Sequence, residues 1–165
     1  MRTTAILIAL AACTSGPSKD DTTTIFAQTT SALSYARIQA VAKVQGQSGN
    51  VTLDASGACP AGGTYAVTGT FDDSSGNTDQ TNWNLSVAFA HCADLFGQVD
   101  GNLDWTSTAS AASFATAITG SVTYSGNRGT WTCDADMHLL IDATDFAADG
   151  TLCGYSLHDD LHLGK

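Results

Sequence analysis

Along most of this chain, apolar and polar residues alternate with a period of two. Tyr65, Val67, Gly69 and Phe71 interleave with Ala66, Thr68 and Thr70, and Trp83, Leu85, Val87 and Phe89 with Asn84, Ser86 and Ala88. The alternation returns in Val99, Gly101, Leu103 and Trp105, then in Phe114, Thr116, Ile118, Gly120, Val122 and Tyr124. It returns once more in Trp131, Cys133, Ala135, Met137, Leu139 and Ile141, with short strands expected near 51–55 and 151–157. Turn-rich links at 72–79, 125–129 and 147–150 separate these runs. A strand with one apolar and one polar face buries the first and wets the second, so the runs predict antiparallel hairpins.

Before the strands the period is helical. Ile25, Phe26, Ala32, Leu33, Ala36, Ala40 and Val44 share one sector, which predicts a helix over about 21–45. Asp20, Asp21 or the next threonines would cap its start, and Gly46 would follow its end. Tyr35, Ile38 and Val41 lie outside the stripe, so burial on more than one side is expected. Gly69, Gly101 and Gly120 stand on the apolar side of their strands, where glycine marks curvature or a close neighbour. The expected fold is mainly β (α+β): a curved antiparallel meander of about 6–8 strands, over about 51–157, wrapping one N-terminal helix. The glycines would then face that helix. An incomplete barrel with the helix as its plug fits the same pattern.

Composition agrees. All sixteen acidic residues are Asp, against six Lys and Arg, for a net charge of −10. Strong charged helix formers are nearly absent, while 23 Thr and 16 Gly favour strands and turns. The negative balance argues against a nucleic-acid partner.

The first residues change the picture. Arg2 precedes an unbroken apolar run, Ala5 to Ala12, whose helix would span about 12 Å, too short for a bilayer. This is the form of an export signal. Leu10, Ala11, Ala12 and Cys13 resemble the lipobox of bacterial lipoproteins. That resemblance implies a signal peptide over 1–12 and diacylglycerol and acyl chains such as palmitate on Cys13. Thr14, where an Asp would favour inner-membrane retention, implies the outer membrane. The alternative is plain secretion after cleavage at the same small residues. Residues 13–24, polar and small, read as a tether, with one domain over 25–165.

Cysteine arithmetic bears on the choice. The five cysteines are Cys13, Cys59, Cys92, Cys133 and Cys153, an odd number for an exported chain, and a lipid on Cys13 leaves four. Counting strand directions places those four at one rim, where sequential pairing gives Cys59–Cys92 and Cys133–Cys153. Four cysteines allow three connectivities, so this is a preference. A Cys₄ zinc site competes, but there is no CxxC spacing and an oxidising compartment favours disulfides. The CPxGG at 59–63, with HC at 91–92, TC at 132–133 and CG at 153–154, is similar to a group of β-rich bacterial envelope lipoproteins with an Ala-rich helix. That resemblance implies architecture and no activity.

Candidate chemistry is sparse. Asp134, Asp136 and His138 share a face, as do Asp100 and Asp104 two strands away, but alternation marks that face as wet. His158 and His162 have metal-ligand spacing in a terminal segment, and His91 flanks Cys92. The run 72–80 is similar to a calcium loop without EF-hand spacing. No phosphate loop or nucleophile elbow is present. The expectation is a non-catalytic protein without cofactor or metal, attached to the membrane by its lipid, whose domain is structural or binds a protein, a glycan or an apolar ligand. In the second reading it is a carrier holding an apolar ligand between sheet and helix, beside Trp83, Trp105, Trp131, Phe89 and Phe114.

Overall fold

A computed structural model describes residues 16–44, 46–47, 49–73, 80–94 and 97–163. After one helix, α1 (Lys19–Ala42), come eight strands: β1 (Gly49–Ala58), β2 (Thr64–Asp73), β3 (Gln80–Ala93), β4 (Gln98–Ser110), β5 (Ser113–Gly126), β6 (Gly129–Asp142), β7 (Phe146–Leu152) and β8 (Tyr155–Ser156). They form one sheet in sequence order, and every neighbouring pair is antiparallel. The meander read from the alternation is the observed topology, except that residues 147–150, expected as a turn, lie inside β7.

The register turns alternation into rows. One inward row runs Val51, Phe71, Trp83, Ser107, Thr116, Leu139 and Ala148 from β1 to β7. Two levels along the strands, another runs Ala55, Val67, Val87, Leu103, Gly120, Ala135 and Leu152. Because side chains repeat every two residues, a slip of one would turn each row to water. The outward rows are mostly Thr, Ser, Asn, Asp and Ala, such as Asp54, Thr68, Ser86, Asp104, Thr119, Asp136 and Thr151.

Gly101 and Gly120 sit in these rows for a reason other than the expected one. Their φ values are +131° and +135°, and the Cβ of any other residue would stand 2.3 Å from the Ser121 carbonyl oxygen and 2.4 Å from that of Asn102. The obstacle is the backbone across the shared β4–β5 ladder, not α1. Gly69 meets the Asn84 carbonyl in the same way. The expectation that these glycines make room for the helix is therefore corrected: their positive φ and the carbonyl across the ladder leave no place for a side chain.

α1 begins earlier than its apolar stripe. Ser18 caps it with a reciprocal box: the Asp21 N–H donates to Ser18 Oγ at 3.2 Å, and the Ser18 N–H donates to the Asp21 carboxylate at 3.2 Å. Residues 18–24 are thus part of the folded unit, which corrects the tether boundary at 24. Pro17 and Thr22 are buried as well. The buried stripe is Thr22, Ile25, Thr29, Leu33, Ala36 and Ala40, at helical spacing, with Gln28 beside it. At the other end the cap is Lys43, so Gly46 lies beyond the C′ position expected of it.

Both ends of α1 are tied to the sheet. At its start Lys19 pairs with Asp160 at 2.9 Å, Arg128 with Asp21 at 3.1 Å, and the Tyr155 hydroxyl donates to the Pro17 carbonyl at 3.1 Å. At its end Lys43 Nζ donates to the Ser56 carbonyl on β1 at 2.9 Å. The helix therefore crosses the apolar face, from the side of the last strands to β1. The sheet wraps it.

Candidate functional site

A helix laid across the strands divides the apolar face into two ends. At one end both disulfides sit. Cys59 bonds Cys92, with Cα atoms 5.3 Å apart, and Cys133 bonds Cys153, with Cα atoms 4.4 Å apart. The register puts them at the same end, since Cys92 stands opposite Val99, Val99 opposite Tyr124, and Cys133 opposite Val122 next to it. Tyr124 stacks on Trp131 at 6.3 Å, and Tyr35 of α1 meets Tyr65 edge-on at 5.9 Å. Gln28 is buried here, and its amide nitrogen, turned to its satisfied orientation, donates to the Asp94 carboxylate at 2.7 and 2.8 Å. This end is filled.

The other end is not. Between the opposite flank of α1 and the inward rows of β2 to β6 lies a cavity of about 830 Å³. The helix lines it with Thr30, Leu33, Ser34, Arg37, Ile38 and Val41, which repeat at helical spacing. The sheet contributes Phe71, Trp83, Trp105, Phe114, Ile118 and Leu139 among others. Ile38 and Ile141, also in its lining, are 56% and 46% exposed, so this apolar surface opens to solvent. Such a volume lies within the usual range for small-molecule sites.

Polar groups in the wall are few and differ in their satisfaction. Thr116 Oγ1 accepts from the Trp105 indole and from Ser107 Oγ, and donates to the Thr106 carbonyl at 3.0 Å. Trp83 packs edge-on against Trp105, 6.0 Å between centroids, and lies 5.7 Å from Phe114. Its own Nε1 is buried without a hydrogen-bond partner, and so is Nε of Arg37. The Arg37 guanidinium stands over Trp83 at 5.0 Å and Trp105 at 5.8 Å. Burial lowers its pKa from the ordinary arginine value, because the charged form loses water.

Of the aromatics expected to suit a ligand, Trp83, Trp105 and Phe114 meet in this wall, while Trp131 stacks on Tyr124 at the stapled end. Ile38 and Val41 belong to the cavity, so the expectation that their side of the helix is buried is corrected. Arg37 escaped the sequence reading. The available signal was its spacing of four residues from both Leu33 and Val41, a cation in line with apolar positions.

The acidic groups stay on the solvent face. Asp136 and His138 pair at 3.3 Å, both well exposed. Asp104 accepts from Ser86 Oγ at 2.5 Å and is separated from Asp136 by Thr119 of β5. Asp100 serves the backbone instead: the strained His91 N–H, at a bulge with φ +54°, donates to it at 2.6 Å. Burial alone would raise the Asp100 carboxyl, but hydrogen bonds from the His91 N–H and the Gln98 amide outweigh it and hold it below the usual value. No group of three metal-ligating side chains occurs among the described residues, His158 and His162 included. Of the calcium-like run 72–80, residues 74–79 lie outside the described residues, as does Cys13. On the outer face a hollow of about 610 Å³ runs beside His138, Asp149, Asn82 and Asn84.

No protein-family model matches the chain, no curated protein matches its sequence, and no solved structure matches its fold. Among the described residues no helix is long and apolar enough to cross a membrane.

Proposed function

We propose that this is a non-catalytic, lipid-anchored protein of the bacterial envelope, attached to the outer membrane through Cys13, whose disulfide-stabilised domain carries an apolar ligand between α1 and the sheet. The observation that carries the ligand reading is the 830 Å³ cavity, walled by indole, phenyl and aliphatic side chains and left open at Ile38 and Ile141. A sheet and helix with no such role close upon each other, since interiors pack to crystal-like density. The anchor reading is supported by Leu10, Ala11 and Ala12 before Cys13, and by the pairing of the other four cysteines with one another. An acylated Cys13 would make a durable membrane attachment, at about 0.8 kcal/mol per buried methylene.

Both parts are open to direct test. The Cys13→Ser chain should leave the membrane fraction and take up no labelled fatty acid, and continued labelling would reject the lipobox reading. Native mass spectrometry of that released protein should show a retained apolar adduct. A mass equal to the bare chain, even after incubation with envelope lipid extract, would reject the carrier.

A further inference from the structure

Sixteen aspartates against six lysines and arginines give almost any cation in this fold a carboxylate to meet. Among the described residues, Arg128 pairs with Asp21 and Lys19 with Asp160, while Lys43 reaches a backbone carbonyl. Arg37 has no ion pair and no hydrogen bond among them, although it lies partly buried in an apolar wall. The faces of Trp83 and Trp105 offset part of its charge, but a ring face does not replace in-plane acceptors for a guanidinium fork. Unlike Nε, the terminal nitrogens of Arg37 are not among the buried atoms, so they can be reached. Beside them Trp83, itself only 6% exposed, holds a second unmatched donor. Desolvation of the guanidinium, already evident in its lowered pKa, disfavours leaving this charge alone.

We propose that Arg37 is the headgroup site of the cavity and holds the carboxylate of a fatty acid, whose acyl chain lies along Phe71, Phe114, Ile118 and Leu139. This rests on the reading that the cavity takes an apolar ligand. A planar carboxylate fits the guanidinium fork with two parallel hydrogen bonds. A single negative charge matches a single cation, whereas a doubly charged phosphate would meet the repulsion of a chain at −10. The two indoles fix the guanidinium at the boundary between helix and sheet, which directs the tail into the cavity.

The test compares palmitate with hexadecanol, which share a tail length and differ in charge, on the purified full-length Cys13→Ser chain. Binding is read from the change in tryptophan fluorescence, with Trp83 and Trp105 in the cavity wall and Trp131 away from it. Palmitate should bind at least about tenfold more tightly than the alcohol, as a charge-assisted pair requires. Arg37→Gln should erase that preference while hexadecanol binds as before, and Arg37→Lys should keep part of it. Equal binding of both by the unmodified site, or a preference that survives Arg37→Gln, overturns the headgroup assignment and leaves the apolar cavity standing. Failure of the chain with Arg37 intact to bind either probe overturns the cavity reading itself.

Discussion

The two ends of the apolar face are built from one strand set and one helix, yet they differ in nearly every physical respect. At the stapled end two disulfides, two aromatic pairs and a buried Gln28–Asp94 contact leave little space. At the open end the same rows continue into Trp83, Phe114 and Leu139, but the helix side chains, Arg37 over the two indoles included, leave a gap of about 830 Å³. The difference teaches that apolar composition does not decide whether an interior closes. The line taken by α1 decides it: its buried stripe of Ile25, Leu33, Ala36 and Ala40 lies on the sheet, with Lys19, Arg128 and Tyr155 making contacts at one end and Lys43 at the other. The cross-links are gathered where the face is filled, and the open cavity lies where they are absent.

Removing a cross-link should produce the largest effect. Cys59 and Cys92 are 33 residues apart, and Cys133 and Cys153 are 20 apart, so each bridge is worth about 3–4 kcal/mol on chain-entropy grounds. Paired Cys→Ser changes at either bridge should lower the denaturant midpoint accordingly. A loss below about 1 kcal/mol would mean that the stapled end does not carry the stability assigned to it.

Gly101→Val comes next. It places a Cβ against the Ser121 carbonyl and demands a positive φ from a β-branched residue, at about 1–3 kcal/mol. Urea unfolding measures it, and an unchanged midpoint would show that the position does not need glycine. The comparison is sharpened by adding bulk at both ends. Ala135→Leu, in the filled core, should cost about 1–3 kcal/mol by overpacking. Ala109→Leu, in the cavity wall, should shift stability by no more than about 0.5 kcal/mol while reducing ligand uptake. Equal penalties would mean that the cavity is closed in solution.

The smallest effect concerns acid. Asp21 is held below the ordinary carboxylate value first by the Ser18 hydroxyl and then by Arg128, and Asp160 first by its hydrogen bond from Lys19. Their folded pKa values lie below the unfolded ones, so their contribution is present above about pH 4 and disappears as the pH falls through the folded values. Urea midpoints should therefore decline on acidification below about pH 4, and Asp21→Asn should flatten part of that decline. A midpoint that rises with acid would contradict the assignment.

The strands were legible because one face is wet: Asn84, Ser86 and Ala88 between Trp83, Leu85, Val87 and Phe89 leave one orientation open. The favoured cysteine neighbours followed from strand direction, and they are the pairs seen. The start of α1 was legible to within two residues; what stayed hidden is that Thr22 and Thr29 are buried, since in sequence they carry the chemistry of a linker or a cap. The cavity was hidden for a different reason. Trp83, Phe114 and Leu139 have the same pattern whether a helix covers them or stands aside, and no local signal records which. Arg37 became conspicuous only once its neighbours in space, two indoles and no carboxylate, were in view.

The strict sequence order of the sheet has a further consequence for how the chain is made. Each strand pairs with the one just synthesised, so a hairpin can close as soon as its second half emerges, with little loop entropy to overcome. Oxidation can follow the same order, joining the cysteine that has just appeared to the one waiting before it. That rule has a phase. Counted from Cys59 it yields Cys59–Cys92 and Cys133–Cys153, but counted from Cys13 it joins Cys13 to Cys59 and Cys92 to Cys133, and every bridge is wrong. A thiol withheld at the front of the chain, as acylation of Cys13 would do, would set the frame for all the others.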